Sequence, residues 1–152
     1  MYALRIVKAE DWSFWRALHR EGYEARVVEI WGTWDEHLQE GFARNEFDAA
    51  HDGQFIIVQD GRDAGYVSWG WREANLFLFN LMVCKDFRGE GLGGQVLSDV
   101  IAMAERRNMP VELRTLVNNP ARRLYERLWF KVVGDDGQHV TMEREVRFVG
   151  VE

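Results

Sequence analysis

The segment from Leu76 to Ala104 constrains the fold more than any other part of the chain. Its apolar run Leu76–Cys84 is typical of a buried strand, and the run Arg88–Gly94 that follows contains four glycines. Apolar residues then recur at helical spacing, at Leu92, Val96, Leu97, Val100, Ile101 and Ala104. The pattern therefore predicts a strand, a glycine-rich turn and a helix in direct succession.

This arrangement is suited to binding a pyrophosphate. Glycine lets the backbone approach a ligand and turn its N–H groups toward it. The N-terminus of the helix adds unpaired donors and a partial positive charge. Arg88 adds a planar cation that matches phosphate geometry.

Two nucleotide-binding motifs share features with the glycine run. The P-loop requires Lys-Ser or Lys-Thr after the glycines, and neither pair is present. Gly89-x-Gly91-x-x-Gly94 does satisfy the dinucleotide fingerprint, with Glu112 at about the expected distance. That acid should end a strand, however, whereas Glu112 begins the strand-like run Val111–Leu116. The context therefore disfavours a dinucleotide site.

Two motifs resemble the signatures of the GNAT superfamily of N-acetyltransferases. The first is Arg88-x-x-Gly91-x-Gly93, preceded by Leu81-x-Val83, and it is similar to the acyl-CoA signature of that family. The second is the run from Asn118 to Phe130, with the sequence NNPARRLYERLWF. The resemblance implies that acetyl-CoA, or coenzyme A, is bound as a co-substrate.

The resemblance also implies which residues contact the cofactor. The loop would hold the pyrophosphate mainly through its main chain, with the residues Arg88, Gly89, Glu90, Gly91, Leu92, Gly93 and Gly94. Leu81, Met82 and Val83 would present main-chain groups to the pantetheine arm, and one N–H would polarise the thioester carbonyl. Asn118 and Asn119 are the remaining cofactor candidates. Asn119 also precedes Pro120 and is a good helix N-cap, so Asn118 is preferred as the contact.

Tyr125 is the predicted general acid. The departing CoA thiolate must be protonated, and a tyrosine hydroxyl placed beside the sulfur can do this. Ala121, Leu124, Tyr125 and Leu128 share one face of the predicted helix, which directs Tyr125 inward. A core tyrosine with a satisfied hydroxyl is the structural alternative.

Three positions depart from the family pattern. Lys85 stands where proline is frequent, and Trp129 stands where glycine usually caps the helix in a left-handed conformation. Asn80 stands where many members carry a carboxylate; it cannot take a proton but can orient a water. The general base therefore stays open among Glu29, Asp35, Glu36, Glu112 and His139.

The acceptor pocket is expected near residues 29–36. Glu29, Trp31, Trp34, Asn80 and His139 are the candidate substrate-binding residues. Trp31 and Trp34 either line that pocket or pack between the first two helices.

Composition excludes several function classes. The net charge of −6 disfavours nucleic acid as a partner. The single cysteine, Cys84, excludes an internal disulfide and fits a reducing compartment. No apolar run approaches the length of a membrane span, and no signal peptide is evident, so a cytoplasmic protein without membrane association is expected. The four histidines lack ligand spacing, so no metal site is predicted.

A single domain covering residues 1–152 is predicted, with the element order β-α-α-β-β-β-α-β-α-β-β. Its strands are expected at Leu4–Val7, Phe55–Gln59, Ala64–Trp71, Leu76–Cys84, Val111–Leu116, Phe130–Val133 and His139–Val146. Helices are expected after Asp11, at Trp34–Phe47 with Thr33 as its cap, after the glycine turn to about Arg107, and after Asn119. The fold class is α/β (α+β), with a mixed, mostly antiparallel sheet flanked by about four helices. The resemblance implies that the middle strands of this sheet splay apart.

Two hypotheses for the function follow. The first is an N-acetyltransferase that moves an acetyl group from acetyl-CoA directly to a primary amine of a small molecule or peptide. The second is a module of the same fold that binds or senses acyl-CoA with little or no turnover, which Asn80 and Trp129 keep open. Either a monomer or a homodimer is compatible with the sequence.

Overall fold

The computed structural model describes residues 1–147. Its strands are β1 (Tyr2–Ile6), β2 (Gly53–Gln59), β3 (Arg62–Trp71), β4 (Leu76–Val83), β5 (Val111–Leu116), β6 (Lys131–Asp135) and β7 (His139–Arg144). Its α-helices are α1 (Trp12–Trp31), α2 (Glu36–Asp48), α3 (Leu92–Arg106) and α4 (Arg122–Arg127). Short 3₁₀ turns cover Ala9–Asp11 and Lys85–Phe87. No helix in these residues is both long and apolar enough to cross a bilayer.

The strands form one mixed sheet with the order β1-β2-β3-β4-β5-β7-β6 within residues 1–147. β1 pairs antiparallel with β2, and β7 pairs antiparallel with both β5 and β6. β4 and β5 are parallel, because α3 carries the chain back to the start of the next strand. The predicted fold class is confirmed.

The parallel pairing of β4 with β5 is short. It comprises three residue pairs, from Leu76↔Val111 to Leu78↔Leu113. β4 nevertheless extends to Val83 and β5 to Leu116. The ladder therefore stops well before either strand ends.

The chain divides into two compact units. The first contains residues 1–68 and 80–93. Its core packs α1 and α2 on the sheet through Trp15, Leu18, Phe47, Ile56, Tyr66 and Met82. The rings of Trp15 and Tyr66 are stacked, with centroids 3.7 Å apart and planes inclined by 7°.

The second unit contains residues 69–79 and, in the described part of the chain, 94–147. Its buried residues include Leu97, Val100, Val111, Leu113, Val140 and Met142. Arg144 is 9% exposed; it donates to Glu105 of α3 at 3.0 Å and to the Leu128 carbonyl at 2.9 Å. A buried cation thereby joins β7 to α3 and to the carboxyl end of α4, where the helix dipole favours positive charge.

That residues 1–152 form a single domain stays a prediction.

The boundary between the first two helices differs from the prediction. α1 continues to Trp31 and ends at Gly32, whose φ of 84° is left-handed. Thr33 was the predicted cap of the next helix, but the Asp35 side chain accepts from the Leu38 N–H at 2.9 Å. α2 therefore starts at Glu36, two residues later than predicted, because a carboxylate caps more effectively there.

The last elements also have shifted bounds. α4 begins at Arg122, and Asn119 is not its N-cap, although its Oδ1 accepts from the Ala121 N–H at 2.9 Å. Asn119 thus caps the turn before the helix. The final hairpin runs from Lys131 to Arg144 and not from Phe130 to Val146. Phe130 instead donates its N–H to the Tyr125 carbonyl at the end of α4.

Candidate active site

The end of β4 alternates its side chains between two environments. Asn80 and Met82 are 9% and 7% exposed, whereas Leu81 and Val83 are half-buried. The β3 backbone packs tightly here, since a Cβ added to Gly65 would lie 2.1 Å from the Met82 carbonyl oxygen. β4 is therefore fixed in the first unit by close backbone packing on β3.

The glycine loop has the geometry that its sequence predicts. Gly89 and Gly91 have φ values of 79° and 83°, a region that side chains disfavour. Both residues are exposed, and a Cβ added to either would meet nothing within 4 Å. The two glycines are therefore required by backbone conformation and not by crowding within the chain.

Two hydrogen bonds hold the loop in the first unit. Arg88 Nε donates to the Val83 carbonyl at 2.9 Å. The Lys85 N–H donates to the Glu21 carboxylate on α1 at 3.2 Å. Arg88 thus uses one nitrogen of its guanidinium to shape the loop in which it lies.

Helix α4 in the second unit places Tyr125 as the periodicity predicts. Tyr125 is 6% exposed and its ring packs on Phe130, with centroids 5.8 Å apart. Ala121, Leu124 and Leu128 on the same face are half-buried. The Cβ position of Gly94 lies 3.5 Å from the Leu124 side chain, which joins α3 to α4.

α4 ends in a Schellman motif with tryptophan in the position usually taken by glycine. The Phe130 N–H donates to the Tyr125 carbonyl and the Trp129 N–H to the Glu126 carbonyl, both at 3.0 Å. Trp129 has a φ of 74° and is 56% exposed. Its substitution for glycine therefore leaves the family geometry intact and places the strain on Trp129 itself. Arg147 stacks on its ring, 3.9 Å from the centroid.

The two asparagines after β5 differ in their surroundings. Asn119 uses both ends of its amide within the loop, because Nδ2 donates to the Thr115 hydroxyl at 2.7 Å and Oδ1 accepts from Ala121. This supports a structural role for Asn119. Asn118 is half-buried beside it and stays the preferred cofactor contact.

The candidate acceptor residues are dispersed. Asn80 accepts a hydrogen bond from the Tyr23 hydroxyl of α1 at 3.1 Å. Glu29 and Trp31 are exposed near the end of α1. Trp34 lies 6.0 Å from the His19 ring and lines a cleft of about 230 Å³ between α1 and α2. Trp34 thus both packs between the helices and lines a cleft, whereas Trp31 is not in its lining.

Most of the predicted bases have other partners. Asp35 caps α2, Glu36 pairs with Arg20 at 2.7 Å, and Glu112 accepts from Asn75 at 2.8 Å. His139, at the start of β7, is half-buried, and burial together with Arg114 lowers its pKa. These contacts explain why none of the four is an obvious base.

Two ionisable residues of the first unit that the sequence did not single out have shifted pKa values. They are Glu46 of α2, which is half-buried, and Tyr66 of β3, which is 0% exposed. Burial raises the pKa of the Glu46 carboxyl to about 7. Burial, with smaller contributions from Tyr23, Glu46 and Cys84, holds the pKa of the Tyr66 hydroxyl well above its usual value. The only sign in the sequence that Glu46 would be buried was its spacing from Ala43 and Phe47, which places all three residues on one helix face.

Cys84 is half-buried, and burial and Glu21 raise the pKa of its thiol to about 11. The thiol is therefore protonated near neutral pH. In residues 1–147 no group of three or more metal-ligating side chains is close enough to hold an ion.

The family model for the GNAT acetyltransferase domain matches residues 51–132, which is more than half of the chain. This range contains β2 to β5, the glycine loop, α3 and α4. The chain therefore belongs to the GNAT acetyltransferase family. No curated protein shows significant sequence similarity to it.

Solved structures show the same fold at low sequence identity. The PaiA N-acetyltransferase of Thermoplasma acidophilum, solved in complex with coenzyme A, has a TM-score of 0.75 at 16% identity, covering 95% of this chain and 99% of its own. PH1933 of Pyrococcus horikoshii has a TM-score of 0.75 at 21% identity, covering 97% and 100%. The ribosomal-protein-S18-alanine N-acetyltransferase of Escherichia coli has a TM-score of 0.62 at 21% identity, covering 100% and 99%.

Proposed function

We propose that this protein is an N-acetyltransferase that transfers the acetyl group of acetyl-CoA directly to a primary amine. The observation that carries the proposal is the loop Arg88–Gly94, in which two left-handed glycines lie directly before the N-terminus of α3. Such a loop can direct main-chain N–H groups at a pyrophosphate without a side chain in the way. The coenzyme A complex of the PaiA structure supports the same ligand.

The proposed reaction needs few side chains. The amine nitrogen attacks the thioester carbonyl, and main-chain N–H groups of Leu81–Val83 stabilise the oxyanion. The carbon–sulfur bond then breaks, and Tyr125 gives its proton to the leaving thiolate. The nitrogen loses one proton as the amide forms, and through solvent this proton restores the Tyr125 hydroxyl. Leu81–Val83, Arg88–Gly94 and Asn118 are the proposed cofactor contacts.

The state of Cys84 supports direct transfer. A covalent acyl-cysteine route needs a thiolate, and a thiol with a pKa of about 11 is almost entirely protonated at neutral pH. The amine and acetyl-CoA are therefore proposed to react within one ternary complex. The acceptor is proposed to be an amine of a small molecule or a peptide.

A binding module is the second candidate. The observation that favours it is Asn80, an amide that already accepts from Tyr23 and cannot deprotonate an ammonium. Such a protein would bind acyl-CoA without turnover.

One pair of measurements tests the proposal. Acetyl-CoA and CoA should raise the melting temperature more than NADH or ATP, because a ligand that binds only the folded state stabilises it. A panel of peptide, polyamine, aminoglycoside and amino-acid amines should then reveal release of free thiol from acetyl-CoA. Stabilisation without thiol release from any amine would favour the binding module, and a larger shift with NADH would refute both.

A further inference from the structure

One turn of α1 contacts both the end of β4 and the start of the glycine loop. The Tyr23 hydroxyl donates to Asn80 at 3.1 Å. Gly22 brings the helix so close to β4 that an added Cβ would overlap a side chain of that strand. Glu21 precedes them, and its carboxylate accepts from the Lys85 N–H at 3.2 Å. Three successive residues of α1 therefore contact the strand and the loop that are proposed to hold acetyl-CoA.

Lys85 stands where the family pattern frequently has proline, and the backbone at this position suits proline. Lys85 is the first residue of the 3₁₀ turn, and Cys84 before it is extended, with φ −61° and ψ 148°. Proline fits the first turn of a helix and favours an extended residue in front of it. Its ring would fix φ here, and it has no N–H. Lysine therefore leaves the start of the loop less restrained and adds a main-chain donor.

Glu21 binds the donor that this lysine adds. The hydrogen bond joins residues 64 positions apart in the chain, so it ties the loop to a helix of the core. Burial and, second to it, Glu21 raise the pKa of the Cys84 thiol, which is consistent with a carboxylate beside this segment. Gly22 and Tyr23 hold the helix against the strand. The carboxylate can therefore restrain the chain at the point where a proline ring would.

We propose that Glu21 is a positioning residue for coenzyme A, and that its bond to the Lys85 N–H replaces the restraint that proline would provide. This inference rests on the proposed binding of acetyl-CoA by the glycine loop. Glu21 does not touch the coenzyme in this role. It limits the conformations of the chain between β4 and Gly89, so that less conformational entropy is lost when the loop binds the pyrophosphate.

The first test is the dissociation constant of CoA, measured by titration calorimetry. Glu21→Ala frees the Lys85 N–H and should weaken CoA binding by roughly threefold to tenfold, as expected for one exposed, charge-assisted hydrogen bond. Glu21→Gln keeps an oxygen that can accept this bond, and it should bind CoA more tightly than Glu21→Ala. Glu24→Ala removes a carboxylate of the same helix that pairs with Arg20, and it should leave the dissociation constant unchanged.

Lys85→Pro separates positioning of the loop from a general loss of stability. Proline removes the N–H but restrains the backbone itself, and the exposed Glu21 carboxylate is then hydrated. Lys85→Pro should therefore bind CoA about as tightly as the wild-type protein, and Glu21→Ala should have no further effect beside it. With an accepted amine, Glu21→Ala alone should raise KM for acetyl-CoA and leave kcat near the wild-type value.

Each outcome bears on one of the two proposals. A wild-type dissociation constant in Glu21→Ala would overturn the inference and leave the acetyltransferase standing. A loss of affinity that persists in full beside Lys85→Pro would also overturn it, because Glu21 would then act without the N–H. Absence of CoA binding by the wild-type protein would overturn both the inference and the proposed function.

Discussion

Arg88 Nε donates to the main-chain oxygen of Val83 at 2.9 Å, and this bond ties the glycine loop to the end of β4. The same side chain is the proposed partner of the pyrophosphate. Arg88 is therefore placed to couple the two parts of the proposed cofactor site, the strand proposed to hold pantetheine and the loop proposed to hold phosphate.

Replacement of Arg88 by alanine should weaken CoA binding at least 10-fold. The variant loses a charge-assisted hydrogen bond, worth roughly 1.5–3 kcal/mol, as well as the cation itself. Titration calorimetry with CoA measures the effect. Lys85→Ala removes a neighbouring exposed cation that does not bond to the strand, and it should change the affinity only slightly. Equal losses of CoA affinity in the two variants would mean that Arg88 contributes only positive charge and no specific hydrogen bond.

Gly91→Val should abolish most CoA binding, and Gly61→Val provides a matched control. The two glycines have φ values of 83° and 75°, and a Cβ at either position meets nothing within 4 Å. Valine should therefore strain both turns by a similar amount, on the order of 1–3 kcal/mol. Only Gly91 lies in the proposed phosphate loop, so only Gly91→Val should raise the dissociation constant. A similar dissociation constant for both variants would refute the loop as the site.

Tyr125→Phe should leave acetyl-CoA affinity nearly unchanged and lower kcat by roughly 10²- to 10⁴-fold. Phenylalanine keeps the packing on Phe130 but has no proton for the thiolate. Because a proton donor acts mainly in the transition state, the loss should appear in kcat and not in KM. Tyr2→Phe, on β1, controls for the loss of a tyrosine hydroxyl. Wild-type turnover by a folded Tyr125→Phe variant would remove this residue from the mechanism.

Trp129→Gly should be more stable than Trp129→Ala by about 1 kcal/mol. Both variants lose the stack with Arg147, but only glycine relieves the left-handed conformation at a φ of 74°. Urea denaturation of the two variants gives the difference directly. Equal unfolding free energies would mean that the end of α4 rearranges to release the strain.

Glu46→Gln should stabilise the protein in a pH-dependent way. The folded-state pKa of Glu46, about 7, lies above its ordinary value of 4.5, so the folded protein holds the proton more tightly than the unfolded chain. The stability that the neutral carboxyl provides is complete below pH 4.5 and is lost as the pH rises to 7. The gain from glutamine should thus be near zero at pH 4.5 and reach about 3 kcal/mol at pH 8.

Urea denaturation at the two pH values measures this gain. Glu40→Gln should show no comparable dependence, because the Glu40 carboxylate lies on the surface and pairs with Arg16. A constant difference between Glu46→Gln and the wild-type protein at both pH values would contradict the buried, readily protonated state of Glu46.

The sequence alone determined the family, the strand order along the chain and the position of the glycine-rich turn. These features depend on local patterns: alternating apolar residues, helical periodicity and glycines where the backbone must turn. The inward direction of Tyr125 also followed from spacing on one short helix. The left-handed conformation of Trp129, in contrast, is seen only in the structure, where the hydrogen bonds that end α4 require it.

Tertiary structure decided the features that arise between distant segments. Asp35 and not Thr33 caps α2, and α1 reaches Trp31, because the packing of each helix fixes where it ends. Glu46 shares a helix face with Ala43 and Phe47, but its charge favours exposure. Only the tertiary structure half-buries this carboxyl and raises its pKa to about 7. Burial and the pKa that follows from it depend on what surrounds a side chain, and no local pattern records those surroundings.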